Sequence, residues 1–317
     1  MRRAIHAAVA GACAAGAARL AYSAMNRRPP GGPKAWSRTN HRGEPVTLLE
    51  GPAVAAGAIA GVLAQGIQAG LASATSRATP GSSGPPGWRH AAATALGGAG
   101  AAAFGAYDDL AGSGDRRGFR GHLGALRHGE VTTGAVKLGG IGATGIISAA
   151  LAGGSPADVI LIAVLVAGGA NLINLFDLRP GRAIKVAAVS GVLIGAAGQD
   201  GVAAPLAAAV ALLPEDLGER AMLGDAGANA LGAMLGASAA GLSRPARIAL
   251  LAGIAGLTAA SEKVSFTKVI QRTPALNWLD MLGRRPAIPA QPGPVDCAGA
   301  ATSTRSAEKP DPLPPDE

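Results

Sequence analysis

Nine apolar stretches recur along this 317-residue chain, at about 1–25, 52–75, 91–107, 133–153, 157–176, 183–199, 201–213, 228–242 and 246–261. Hydrocarbon offers no partner to a backbone N–H or C=O, so any stretch of this kind that enters a bilayer has to be a helix. Lipid as solvent also explains the shortage of charge. Only 15% of residues are charged and 49% are apolar, with a mean hydropathy of +0.29, whereas a soluble domain has about 25% charged residues. The expected architecture is therefore all-α: a polytopic integral membrane helix bundle of about nine transmembrane helices. Several stretches, 201–213 above all, fall short of the roughly 20 residues that span a bilayer.

If all nine cross, alternate loops share a side, and basic charge tests the arrangement. Arg2, Arg3, Arg77, Arg89, Arg244 and Arg247 fall on one side and Arg19 lies inside the first stretch. Every other Lys and Arg falls in 26–51, 108–137, 177–185, 214–227 or the region after 261, which makes that side cytoplasmic. A cleaved signal peptide at 1–25 would turn all the later basic loops outward, so this stretch reads as the first transmembrane helix. Residues 76–90, with Pro80, Gly81, Pro85 and Pro86, read as an exterior loop. Residues 1–285 form one membrane domain and 286–317 a disordered cytoplasmic tail, rich in Pro and Ala.

A net charge of +8 suits either nucleic acid or a membrane surface. With aromatics at 3% there is no basic helix interleaved with stacking residues, so nucleic acid is not an expected partner. Cys13 and Cys297 lie near opposite ends and suggest neither a disulfide nor a metal site. Glycine pairs four apart, such as Gly57/Gly61, Gly191/Gly195 and Gly232/Gly236, fit close helix packing, although so glycine-rich a chain also produces them by chance.

Three acidic motifs fall on the side expected to be cytoplasmic. The adjacent carboxylates of Asp108 and Asp109 follow an Ala-rich stretch and repel each other unless a cation or proton is shared, an arrangement that suits Mg²⁺. Asn171, Asn174 and Asp177 close the most apolar run at i, i+3, i+6, within about 60° of one helix face. Their amides can orient a phosphate or sugar, and the carboxylate can bind metal or accept a proton. Asp225 sits between Gly224 and Ala226-Gly227 just before another apolar stretch, where free N–H groups collect. Read singly, these are an acidic turn, a helix end and an N-cap. Around them lie Arg116, Arg117, Arg120, Arg127, Lys137, Arg179, Arg182 and Lys185, and acid mixed with base fits phosphates bridged by Mg²⁺ better than a cation pore. A transporter of an anionic solute would want polar groups near mid-membrane, where these stretches have almost none.

The order Asp-Asp, Asn-x-x-Asn-x-x-Asp, Gly-Asp-x-Gly resembles the polyprenyl-phosphate N-acetylhexosamine-1-phosphate transferase superfamily, which includes the phospho-N-acetylmuramoyl-pentapeptide transferase and the GlcNAc-1-phosphate transferases. The resemblance runs over about 26–285. It implies a Mg²⁺-dependent enzyme of the plasma (inner) membrane, active at the cytoplasmic face in cell-envelope glycan biosynthesis. Such an enzyme transfers a sugar-1-phosphate from a UDP-sugar to polyprenyl phosphate and releases UMP. By motif position, Asp108, Asp109 and Asp177 would be catalytic, Asn171, Asn174 and Lys137 would bind substrate, and Asp225 with Asp177 would hold the metal. The implied partners are polyprenyl phosphate, a UDP-sugar and membrane lipid, and a homodimer is allowed. Two departures stand out. Leu178-Arg179-Pro180-Gly181 replaces the usual Gly-x-Asp-Gly, and the histidine cluster of the pentapeptide transferase has no counterpart in the last loop, which reads Ser265 to Pro274. They motivate an alternative, a catalytically silent lipid-phosphate-binding or scaffold protein of envelope assembly.

Overall fold

The computed structural model describes residues 2–40, 42–75, 87–112 and 131–286. The expected 286–317 tail after its first residue, most of the 76–90 loop, and Arg116, Arg117, Arg120, Arg127 and Cys297 lie outside the described residues. Each of the nine apolar stretches forms a helix: α1 (Arg2–Arg27), α3 (Glu50–Thr75), α4 (Gly87–Ala111), α5 (Thr133–Ala152), α6 (Pro156–Phe176), α7 (Arg182–Ala196), α8 (Ala203–Leu217), α9 (Gly224–Ser238) and α10 (Arg244–Ser261). Three short helices join them: α2 (Pro33–Trp36), α11 (Phe266–Arg272) and α12 (Pro274–Met281). The first basic loop also holds a small antiparallel ribbon, β1 (Ser37–Thr39) with β2 (Pro45–Thr47), in which Arg38 pairs with Val46. The ribbon and α2 were not anticipated, because three-residue strands leave no periodicity to read.

Local chemistry sets the ends of the helices. Ser155 caps α6 by accepting from Asp158 N, with Pro156 at the first helical position. Thr132 caps α5 in the same way through Ala135 N. Downstream of α6, Pro180 cannot continue a helix and Gly181 takes φ +70°, which forces the chain to turn before α7.

Among the described residues, four helices are long and apolar enough to cross a membrane: Arg3–Arg27, Glu50–Ser73, Thr133–Ala152 and Pro156–Phe176. Arg244–Ser261 with Phe266–Arg272, bent by 96°, makes a fifth if counted as one span. The nine expected spans exceed this number. Helices α7, α8 and α9 have 15 residues each, only about 22 Å at 1.5 Å per residue.

Polarity is inverted relative to a soluble protein. Leu20, Ile67, Leu71, Ile146, Ile160, Val192 and Leu193 are exposed, while Glu50, Arg182, Asp216, Glu219 and Asp280 are buried. A scattering of exposed apolar groups is ordinary, but this many around the outside of a bundle with charged groups inside it marks a membrane-associated helical bundle.

At its centre lies α9, whose residues from Ala226 to Ser238 are all buried. Glycine makes this possible. A Cβ on Gly232 would stand 2.1 Å from Gly169 O, and one on Gly236 would stand 2.3 Å from Leu165 O, so α6 touches α9 backbone to backbone. Gly57 and Gly61 do the same for α3 against α1, whose Ala10, Ala14 and Ala18 are fully buried. Two of the three glycine pairs are thus genuine packing sites. At Gly191 the neighbour is the flexible end of Leu206, a softer constraint.

Candidate functional site

The helices run further than the sequence pattern suggested, and this moves the acids from loops onto helix ends. Helix α4 continues to Ala111, so Asp108 and Asp109 stand in its last turn. Lys137 belongs to the second turn of α5 and Asp225 to the first turn of α9. Asp177 is the C-cap of α6.

These ends meet. Lys137 Nζ lies 2.7 Å from Asp108 Oδ2 and 2.5 Å from Asp225 Oδ2, bridging the first and third motifs. Asp109 accepts from the backbone N–H of Asp225 at 3.1 Å and of Ala226 at 2.9 Å, capping the helix that carries Asp225. Asp177 lies close enough to the backbone of Gly224, one residue before Asp225, to feel its N–H dipole. Arg38 of the ribbon donates to Asp109 O and ties the first loop to the same point. Backbone shape is essential here. A Cβ on Gly105 would stand 2.4 Å from Asp225 O, and Gly224 takes φ +61° with the Asp109 carboxylate 3.1 Å from where its Cβ would be. No protein-family model, no curated protein and no solved structure matches the chain. The reading of the site therefore rests on its own geometry.

Not every expected residue joins the cluster. Asn171 Nδ2 donates to Thr258 Oγ1 at 3.2 Å, which ties it to α10. The backbone carbonyl of Asn174 accepts from Asp177 N, closing the last turn of α6. The cluster instead extends to acids that the sequence pattern did not single out. Glu50, at the start of α3, is fully buried and neither carboxylate oxygen has a partner. Asp216 is buried too, and its Oδ2 is unpartnered. The signal that singled out Asp177, a carboxylate at the mouth of an apolar run, applies equally to Glu50. Asp216 gave no such signal, because it was assigned to a loop that is in fact the end of α8.

Most of these crowded acids resist ionisation. Burial, with the Asp225 charge adding to it, pushes Asp109 up to about 7 despite its two backbone N–H donors. Burial likewise raises Asp216 to about 7. Asp177 is driven up by burial and by the charges of Asp216, Asp225 and Asp109. Asp108 and Asp225 share Lys137. Burial opposes charge on both, but bonds from Asp225, Lys137 and Thr133 hold Asp108 below its usual range, and Asp225 is left raised.

A cavity of about 100 Å³ opens beside the cluster, lined by Asn40, Asp177, Arg179, Asp216 and Met222 among others. A larger one of about 570 Å³ lies by Arg3, Gln65, His90, Thr94, Gln199 and Ser238. It adjoins the opposite ends of α1, α4 and α9 and holds none of the clustered acids. Chemistry therefore favours the smaller cavity. Among the described residues no three His, Cys, Asp or Glu side chains form a metal cage by themselves.

A second group of charges flanks the cavity. Arg182 grips Asp280 of α12 bidentately, Nε to Oδ1 at 2.7 Å and a terminal nitrogen to Oδ2 at 2.9 Å, and donates to Thr267 Oγ1 at 2.9 Å. Arg284 adds a bond of 2.9 Å to Asp280 Oδ2, and Lys185 donates to the carbonyls of Leu279, Asp280 and Leu282. The α11–α12 pair is thereby fastened to the start of α7.

Proposed function

We propose that this chain is an integral-membrane phospho-glycosyl transferase that moves a sugar-1-phosphate from a UDP-sugar to polyprenyl phosphate and releases UMP. One observation carries the reading: Lys137 joins Asp108 to Asp225 while Asp109 caps the helix of Asp225, so motifs more than a hundred residues apart form one charged site. In the full form of the proposal all nine long helices cross the membrane, the acidic end is cytoplasmic, and the product feeds cell-envelope glycan assembly.

Such a reaction must bring two phosphate groups together. A phosphate oxygen of the lipid attacks the sugar-bearing phosphorus of the diphosphate, a P–O bond forms, the bond to the bridging oxygen breaks, and UMP departs with that oxygen. Lys137 offsets the charge that accumulates. Asp109, with its proton near neutrality, can accept one from the lipid phosphate at a carboxylate oxygen. Arg179 faces the cavity, where a diphosphate needs a cation.

The donor set also suits Mg²⁺, which usually takes one or two carboxylates together with substrate phosphates and seldom a complete protein cage. Asp177 and Asp225, half-buried and close enough for their charges to repel, would hold it. Bound there, Mg²⁺ supplies neutralising charge to the diphosphate. A second reading, a catalytically silent lipid-phosphate-binding protein, draws on Lys137 already filling the gap between two carboxylates and on Arg179-Pro180 in the second motif.

The test is UMP release by the purified full chain with polyprenyl phosphate, Mg²⁺ and a panel of UDP-sugars. Release that Asp225→Asn abolishes supports the transferase. Binding of polyprenyl phosphate without UMP from any donor leaves the silent protein standing instead.

A further inference from the structure

Helix α12 has its polarity reversed. Its one buried residue is the charged Asp280, while Leu276, Trp278, Leu279, Met281 and Leu282 are exposed, Trp278 by 67%. At 100° per residue, Trp278 and Leu282 lie about 160° round the helix from Asp280, and Leu279 and Met281 about 100° to either side. The face turned away from the protein is thus apolar, and the face turned towards it holds the ion pairs. Nothing forces this helix outward by default, since the Arg182–Asp280 pair fixes which side faces the bundle.

Its level relative to the bundle follows from α10. Arg247 pairs with Asp158 at 3.0 Å, a Cβ on Gly168 would lie 3.0 Å from Ile254, Asn171 bonds to Thr258, and Phe176 stacks on Phe266 at 5.0 Å. Both partners ascend in number together, so α10 runs parallel to α6 along its length and ends where α6 ends. There the chain bends by 96° into α11. Helix α11 therefore lies across the bundle at the level where its most apolar helix stops, and Arg182 and Lys185 hold α12 at that same end. Lys263, Lys268 and Arg272 are exposed on this segment. An apolar outer face with Trp, basic flanks and a position at the end of a span together describe an interfacial helix.

We infer that α11–α12 is a membrane-surface element: the outer face of α12 lies in the interfacial zone of the bilayer at the acidic end, and the basic residues of the segment engage anionic lipid headgroups. Asp280 then links lipid contact to Arg182, which starts the helix next to the cavity. The inference rests on the membrane reading of the bundle and not on the transferase chemistry, so it stands even if no UMP is released.

Tryptophan quenching tests it on the full chain reconstituted in vesicles. Subtracting the signal of Trp278→Phe isolates Trp278 from Trp36 and Trp88. In phosphatidylcholine brominated near the headgroup end of the acyl chains, the Trp278 signal should be quenched severalfold more by the lipid than by aqueous acrylamide. Adding phosphatidylglycerol should increase lipid quenching, and Lys268→Gln with Arg272→Gln should remove that increase. Quenching by acrylamide alone would place the face in water and overturn the inference. Protection from both quenchers would mean that protein covers it, another segment or a second copy, and equally overturns it. Lipid quenching indifferent to phosphatidylglycerol would remove the anionic-headgroup part.

Discussion

Two groups of charges stand at the same end of the bundle and differ in how completely they are satisfied. Around Asp280 base is in excess: Arg182, Arg284 and Lys185 surround one carboxylate, and of their buried donors Arg284 Nε alone lacks a partner. Around Lys137 acid is in excess: one ammonium serves Asp108 and Asp225, with Asp109 and Asp177 beside them and Glu50 and Asp216 carrying unpartnered oxygens. A completed set of ion pairs resists change and suits a fastening. An incomplete one retains the capacity to bind a cation or move a proton, and suits a site.

The sharpest way to break this distinction is to cut one charge from each group. Arg182→Met leaves Asp280 buried without its main partner, and stability should fall by about 3–5 kcal/mol, read as thermal unfolding in detergent. Lys137→Met should cost less stability, under about 2 kcal/mol, because Asp108 and Asp225 can share a proton. Its UMP release should nonetheless fall by about 10²–10³-fold. If Lys137→Met unfolds the protein while Arg182→Met is tolerated, fastening and site have been assigned the wrong way round.

Gly105→Ala probes how tightly the site is positioned. With Asp225 O 2.4 Å from the added Cβ, α4 and α9 must separate, costing about 1–3 kcal/mol. Activity should drop along with stability. Gly139→Ala, with nothing within 4 Å, serves as the control and should be neutral or stabilising by up to about 1 kcal/mol. Equal behaviour of the two variants would refute the close approach of α4 to α9.

The subtlest difference is in pH. Asp109 and Asp216 have folded-state pKa values raised to about 7, above the usual carboxylate value of 3.8. The native state therefore binds more protons than the unfolded one between about 4 and 7, and their contribution to stability declines as pH rises through that window. Asp280 behaves oppositely. Burial alone would raise it, but Arg182 and Arg284 hold it low, so its contribution is present above 3.8 and is lost only as pH falls through its lowered value. Unfolding midpoints measured from pH 4 to 8 should fall with pH, and Asp109→Asn should flatten part of the slope. A profile that Asp109→Asn leaves unchanged would show that this carboxylate does not carry the titration.

Much of this was legible beforehand. All nine apolar stretches became helices, and Asp108, Asp109, Lys137, Asp177 and Asp225 came together at one end of the bundle. Helix ends were less legible: Ala and Gly are apolar yet common at turns, so composition does not say whether Asp108 ends a helix or follows one. Asn171, read as part of a polar stripe, went to Thr258 because α10 lies alongside α6, which no local pattern reports.

The primary structure by itself determined helical segments and the acids that stand at the ends of apolar runs, because each depends on local composition and a fixed helical repeat. Only the tertiary structure decided which charges neutralise one another. Whether a cation serves Asp280 or Asp225 is a matter of a few ångströms, set by where Gly105, Gly224 and Gly232 let backbones approach.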